Sequence, residues 1–475
     1  MSNKNPSSSP TDDKNDSAQS EDVTRGELVA YSVSEFPNNI SGNVMTSLAN
    51  PIMVVTLGLS PSSVGFVLMI RGLWDAITDP VMGYITDRSE NRFGRRRPFI
   101  LIGGILMAIT MAAAWWFPTD KGDNIMLIYY GVGLIAFATA QTIFSVAYGA
   151  LGFELSSTYN GRTRVQMART TASRIAQFAS PYLFPFCLLA IFGGALTGVR
   201  WLSLIVGVIV IIGAVITVWK TRERDYKEVA KENILKAIQS TIRCPEFLRI
   251  TFIYAALLFT LGAFGVFQFF LITFYVFKGD VAKGASFNAL VETFANVLVL
   301  AGIPLVTWAC KKFQKHNALR ISLGLMIVGS CLQLVLINPT YPWLMFFSPF
   351  FYSLGIVATF MILGTLMADA VDADELRTGH RREGLFSATS AFMMKTMFAI
   401  AAGISGVLVE ATGFVRDLGG DQAPGVFDNM RYLFAAKAVL LFACLAVLRN
   451  YPLTEQRLAE IQAELKRRRG ELAKS

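Results

Sequence analysis

The chain has 475 residues, 53% of them hydrophobic and 16% charged, with a formal net charge of +9 from 43 Lys and Arg against 34 Asp and Glu. So apolar a composition excludes an ordinary soluble domain and indicates a polytopic membrane protein. The basic excess sits in short turns between apolar runs, not in basic stripes interleaved with aromatics, so it reads as membrane orientation and not as a nucleic-acid footprint.

Residues 1–24 are mainly Ser, Asn, Asp, Lys and Pro, too polar to offset the entropy of ordering, and are expected to form a disordered tail. They lack the apolar core and small-residue cleavage site of a secretory signal, so the first membrane segment is expected to serve as the targeting signal. A spanning helix needs about 20 mostly apolar residues. Twelve such segments can be drawn, over 27–57, 62–86, 98–117, 124–152, 164–191, 199–219, 250–277, 284–309, 318–338, 342–371, 384–411 and 429–450. The turns after the even-numbered segments are basic (Arg88 to Arg97, Arg162 and Arg164, Lys220 to Arg243, Lys311 to Lys315, Arg377 to Arg382), while the others are short and nearly neutral. Cytoplasmic loops carry the Lys and Arg excess, so both termini are expected to be cytoplasmic. The polar connection 221–249 divides the chain into two six-helix bundles, 25–220 and 250–450, and parallel repeats of this kind build one large transporter class. In the cytoplasmic tail 451–475, Leu458, Ile461 and Leu465 recur at helical spacing, which predicts a short amphipathic helix.

The second segment contains Trp74-Asp75-Ala76-Ile77-Thr78-Asp79-Pro80, in which Asp75 and Asp79, four apart, share one helix face. Carboxylates at membrane depth are costly and mark an ion or substrate path. Two so close raise each other's proton affinity unless a cation or base intervenes. The pair is therefore expected to bind a proton, or Na⁺ through its oxygens; the competing reading is a structural ion pair, for instance with Arg71 one turn earlier. Arg169 in the fifth segment and Lys395 in the eleventh are the expected counter-charges, with Arg174 an alternative to Arg169 in facing a cavity. Glu35, Asn38, Asn39, Thr142, Ser145, Glu292 and Asn296 are also polar within segments, where interhelical hydrogen bonding accounts for them. Glu410 and Asp369, near segment ends, read as interfacial.

Asp369, Asp372, Asp374 and Glu375 are followed by Arg377, Arg381, Arg382 and Glu383. Interleaved signs suit salt bridges better than a metal, so this run is expected to close a cytoplasmic gate, with Asp87 and Arg95, Arg96 and Arg97 as its counterpart; no structural metal is expected. The five cysteines lie singly, and His316 and His380 sit beside basic turns. No nucleophile and base stand together, so neither enzymatic activity nor a cofactor is expected.

At Trp74 to Pro80 with Gly83, Asp87-Arg88, Phe93 to Pro98, Tyr148 to Leu151, Asp369 to Glu375 and Arg381 to Gly384, the chain resembles the major facilitator superfamily. Within it the resemblance is to the glycoside-pentoside-hexuronide:cation symporters, the melibiose permease-like family. The run Gly94 to Leu101 is also similar to sucrose:proton symporters. The resemblance implies that Asp75 and Asp79 are the coupling-cation carboxylates, with Thr142 as a hydroxyl ligand and Thr78 beside them. It also implies that Arg169 and Lys395 line the central sugar and cation cavity, and Asn39, Ser145 and Trp74 join them as solute-site candidates. Departures fall on the solute side. Asn39 and Ser145 stand where the family's type has sugar-binding aspartates, Gly149 replaces its stacking tryptophan, and Thr78 replaces an asparagine beside the cation.

The expectation is a multi-pass protein of the plasma (inner) membrane that couples H⁺ or Na⁺ to symport of a sugar or glycoside by alternating access, with no nucleic acid and no obligate protein partner. A same-fold carrier of a lysolipid-like or other amphipathic solute, and a non-transporting solute sensor, are the alternatives.

Overall fold

The computed structural model describes residues 23–89, 91–156, 158–223, 244–379, 382–449, 451 and 455–472. Nearly all of the N-terminal tail, most of the connection 221–249 and the gate candidate Arg381 lie outside the described residues. Helix α1 (Arg25–Ser32) and α2 (Glu35–Thr46) lead into a π-helical turn, Asn50–Thr56. They are followed by α3 (Pro61–Asp87), α4 (Arg97–Trp115), α5 (Asp123–Glu154), α6 (Tyr159–Ala179), the short α7 (Leu183–Cys187) and α8 (Ala195–Lys220). The second half comprises α9 (Pro245–Phe270), α10 (Val281–Phe313), α11 (Lys315–Leu336), α12 (Ser348–Thr378), α13 (Glu383–Ala411) and α14 (Val426–Leu448), with α15 (Glu455–Leu472) after it.

Helix boundaries follow local chemistry. Ser60 caps α3 by accepting from the Ser63 N–H at 3.3 Å, with Pro61 in the first turn, where its missing N–H costs nothing. Asp280 caps α10 through the Lys283 N–H at 3.0 Å. Helix α12 stops at Gly379, whose φ of +74° is the left-handed conformation that glycine adopts without a Cβ clash.

Among the described residues nine helical stretches are long and apolar enough to cross a membrane, against twelve expected from the sequence. The other three are helical but are interrupted or carry several charged residues. The first is split between α1 and α2, α3 holds Arg71, Asp75 and Asp79, and α6 holds Arg162, Arg164, Arg169 and Arg174.

One buried cluster runs from Val55, Leu59, Phe144 and Tyr148 of the first half into Phe270, Val409, Phe414 and Val426 of the second. A separate cluster around Leu257, Leu323, Leu363 and Leu441 also takes in Ile461 and Leu465 of α15. The halves touch along α3 and α13. A Cβ at Gly406 would overlap the Pro61 carbonyl oxygen, and one at Gly72 would stand 2.5 Å from the Ala399 Cβ, so the two helices meet backbone to backbone. At the end where α3 begins, Ser60 Oγ donates to Glu410 Oε1 at 2.5 Å. There Arg416 also donates to the Val55 and Thr56 carbonyls at 3.0 and 2.9 Å. Glu410, read as interfacial from its position, thus ties the halves together.

Candidate functional site

The geometry begins on α3, where the four-residue spacing points Asp75 and Asp79 at one place on α5. Thr142 Oγ1 lies 3.2 Å from Asp75 Oδ1 and 3.0 Å from Asp79 Oδ1. A hydroxyl has one proton, so it serves one carboxylate at a time. From the other half, Lys395 Nζ on α13 approaches Asp75 Oδ2 at 3.2 Å and forms a second ion pair with Asp79. Thr78 Oγ1 donates to the Trp74 carbonyl at 3.0 Å and lies 3.4 Å from Thr142 Oγ1. All four predicted cation residues are therefore together, with Lys395 between the carboxylates. The cluster holds two carboxylates and one ammonium, a formal charge of −1 when all are ionised.

Arg169 does not join it. Its Nε donates to Glu35 Oε2 at 3.0 Å, and Asn39 Nδ2 donates to Glu35 Oε1 at 3.1 Å. Its guanidinium lies 5.6 Å from the centroid of the Tyr148 ring, which stacks on Tyr31 at 4.4 Å. The expectation that Arg169 is a counter-charge of the aspartate pair is corrected: its carboxylate partner is Glu35, and Lys395 serves the aspartates. Arg71 likewise bonds Gln141 Oε1 at 2.8 Å, and Arg174 bonds Gln177 Oε1 at 2.9 Å.

A cavity of about 560 Å³ opens between the halves, with Arg71, Asp75, Asn288, Glu292 and Lys395 on its wall among Phe184, Phe269 and Phe398. Of the five expected solute residues, Lys395 is on this wall among the described residues. Trp74 turns away from it, its Nε1 donating to Thr139 Oγ1 at 2.9 Å, while Ser145 is half-buried on α5. Asn288 and Glu292 take part in a relay: Gln268 Nε2 donates to Asn288 Oδ1 at 3.1 Å, and Asn288 Nδ2 to Glu292 Oε1 at 2.8 Å.

The charged turns bond within their own halves. Arg96 pairs with Asp87 at 2.5 Å, and Arg95 with Glu154 at 2.6 Å. Glu223 accepts the backbone N–H groups of Arg95, Arg96 and Arg97 at 2.5 to 2.8 Å, an anion seated on the positive N-terminus of α4. In the second half Asp374 pairs with Arg382 at 2.6 Å, Asp369 with Lys315 at 2.9 Å, and Glu246 with Arg377 at 2.9 Å. Asp372 Oδ2 lies 3.5 Å from Gln462 Nε2 of α15. Sequence reasoning missed Glu154, Glu223 and Glu246. For Glu154 and Glu246 the available signal was a single acid at a helix end; Glu223, beyond the end of its helix, offered none.

Residues 30–455 match the family model described as MFS/sugar transport protein. The isoprimeverose transporter of Lactiplantibacillus pentosus is 25% identical, covering 83% of this chain and 82% of that protein. The sodium-dependent lysophosphatidylcholine symporter 1-B of Danio rerio is 22% identical, covering 90% and 87%. A solved bacterial homologue of the human lysosomal transporter Spinster shares the fold with a TM-score of 0.65 at 17% identity, covering 89% of this chain and 95% of that one.

Proposed function

The chain belongs to the MFS/sugar transport family, the glycoside-pentoside-hexuronide:cation symporters of the major facilitator superfamily, and on that premise we propose that it couples H⁺ or Na⁺ to uptake of a sugar or glycoside. It is an integral multi-pass membrane transporter rather than an enzyme. In this reading twelve helices form two bundles with both termini cytoplasmic, because the basic turns follow the even-numbered segments. The Ser60–Glu410 end is then external and closed, and the 560 Å³ cavity belongs to a cytoplasm-facing state.

The observation that carries the reading is the cluster of Asp75, Asp79, Thr142 and Lys395. Its carboxylate oxygens and hydroxyl are hard ligands that suit Na⁺ or a proton, and its formal −1 charge is neutralised by one monovalent cation. Lys395 belongs to the opposite half, so a cation that displaces its ammonium alters the tie between the bundles. In proteoliposomes, solute accumulation should follow an imposed Na⁺ or H⁺ gradient and vanish in Asp75→Asn and Asp79→Asn. Gradient-driven accumulation surviving in both variants would sink the assignment.

A second reading has a specific observation behind it. Phe184, Phe269 and Phe398 give the cavity an apolar wall that an acyl chain would fill, and one relative is a lysophosphatidylcholine symporter. Competition of lysolipid with glycosides for binding separates the two.

A further inference from the structure

Lys437 lies at the middle of α14, 2% exposed, where a lone ammonium is costly unless something pairs with it. Among the described residues no carboxylate does. Its Nζ stands 3.6 Å from the centroid of the Phe434 ring and 4.3 Å from that of Tyr352. Cation–π attraction offsets part of the desolvation but supplies no anion. The ammonium is on the wall of a second cavity of about 210 Å³, shared with Thr260, Gln333, Ser348 and Ser353. That is far more than the roughly 10–15 Å³ a single water needs.

Gln333 is also buried, at 4% exposure, and directs its Nε2 to Ser348 Oγ at 2.9 Å while its Oε1 has no partner. The chamber thus holds a buried lysine side chain with no carboxylate partner among the described residues and a buried acceptor with no hydrogen-bond partner. Leu261, Gly265 and Glu292 line both this chamber and the central cavity. A Cβ at Gly265 would meet nothing within 4 Å, so the shared wall is thin there.

We propose that this chamber is an anion subsite of the transport path, in which Lys437 receives the negatively charged group of a hydroxyl-bearing solute and Gln333 and Glu292 accept its hydroxyls. Glu292 stands on the wall toward the central cavity, which orients the charged group away from it and toward Lys437. The same ammonium would take a free inorganic anion, so the source has to be tested. The inference rests on the solute-transport reading, and the experiment keeps the two apart.

The purified full chain in nanodiscs is titrated with 4-nitrophenyl β-D-glucuronide and 4-nitrophenyl β-D-glucoside, which differ only at C6, a carboxylate in one and a hydroxymethyl group in the other. Binding is read by calorimetry for wild type, Lys437→Met and Lys437→Gln. Wild type should prefer the glucuronide by about tenfold, the scale of a hydrogen bond to a charged group, and both variants should bind the two probes alike. A separate titration with sodium sulfate reads Tm. A rise seen in wild type and lost in both variants, with no glucuronide preference, assigns the subsite to a free anion. A glucuronide preference that survives in both variants overturns the proposal, as does the absence of any Lys437-dependent response to glucuronide or sulfate. If neither glycoside binds, the sugar reading fails, while the sulfate arm still decides the fate of the chamber.

Discussion

Replacing Lys395 by Met tests whether the coupling cation and the ammonium compete for the same oxygens. At 3.2 Å and an effective dielectric of about 20, one carboxylate–ammonium pair is worth about 5 kcal/mol. The Lys395 side chain is 39% exposed, and exposed pairs retain only a small part of such attraction, which leaves about 1–2 kcal/mol for the two contacts together. At about 1.4 kcal/mol per tenfold, Lys395→Met should bind H⁺ or Na⁺ about tenfold more tightly than wild type. The same variant should lose gradient-driven accumulation, since the tie to the second half is gone. Tryptophan fluorescence titrated with Na⁺ at fixed pH, and with pH at fixed Na⁺, measures both affinities. Unchanged or weaker affinity for both ions would show that the ammonium does not occupy the cation's place.

Four further outcomes are expected. Glu223→Gln removes the anion seated on the N-terminus of α4, a loss of about 1 kcal/mol that should lower Tm by about 1 °C. Gly94→Ala should do at least as much, because a Cβ there would lie 2.6 Å from Glu223 Oε1 on a backbone with φ of +106°; a Tm equal to wild type counts against this seat. Gly406→Leu cannot keep the contact with the Pro61 carbonyl, so a cysteine at Ser62 should react severalfold faster with an impermeant maleimide in this background, and equal rates would refute a closed seam. Ile461→Asp puts a charge into a buried position of α15, so limited proteolysis should cut the tail from a bundle that otherwise remains intact.

The aspartate pair was legible because two carboxylates at helical spacing interrupt an apolar run, and Lys395 because a lysine among Met393, Met394 and Met397 has no solvent to explain it. Thr142 was legible only through the family resemblance. Arg169 was misassigned because its partner Glu35 lies 134 residues away, and pairing at that distance depends on which helices are neighbours. Lys437 carries the same signal as Lys395, a single lysine between Ala436 and Ala438 deep in an apolar helix, and was readable by the same rule. Glu223 was not, since an acid just beyond a helix reads as solvated until the N–H groups it accepts are brought to it by the fold.

On the proposed function, the energies also bear on whether a coupling ion would act alone. The seam between the halves runs from Ser60–Glu410, through the close contacts at Gly406 and Gly72, to Lys395 with Asp75 and Asp79. Opening it breaks the ionic tie and the backbone packing together. An ion that displaces Lys395 acts only on the tie, about 1–2 kcal/mol on the estimate above, and moves a two-state equilibrium about tenfold. Driving the protein from one state to the other, from 1:99 to 99:1, takes about 5.5 kcal/mol of differential binding. The remainder has to come from a solute that engages both halves of the cavity, where Arg71 and Asp75 face Asn288, Glu292 and Lys395. In the proposed symport neither ligand would suffice by itself, and that shortfall would oblige the two to travel together.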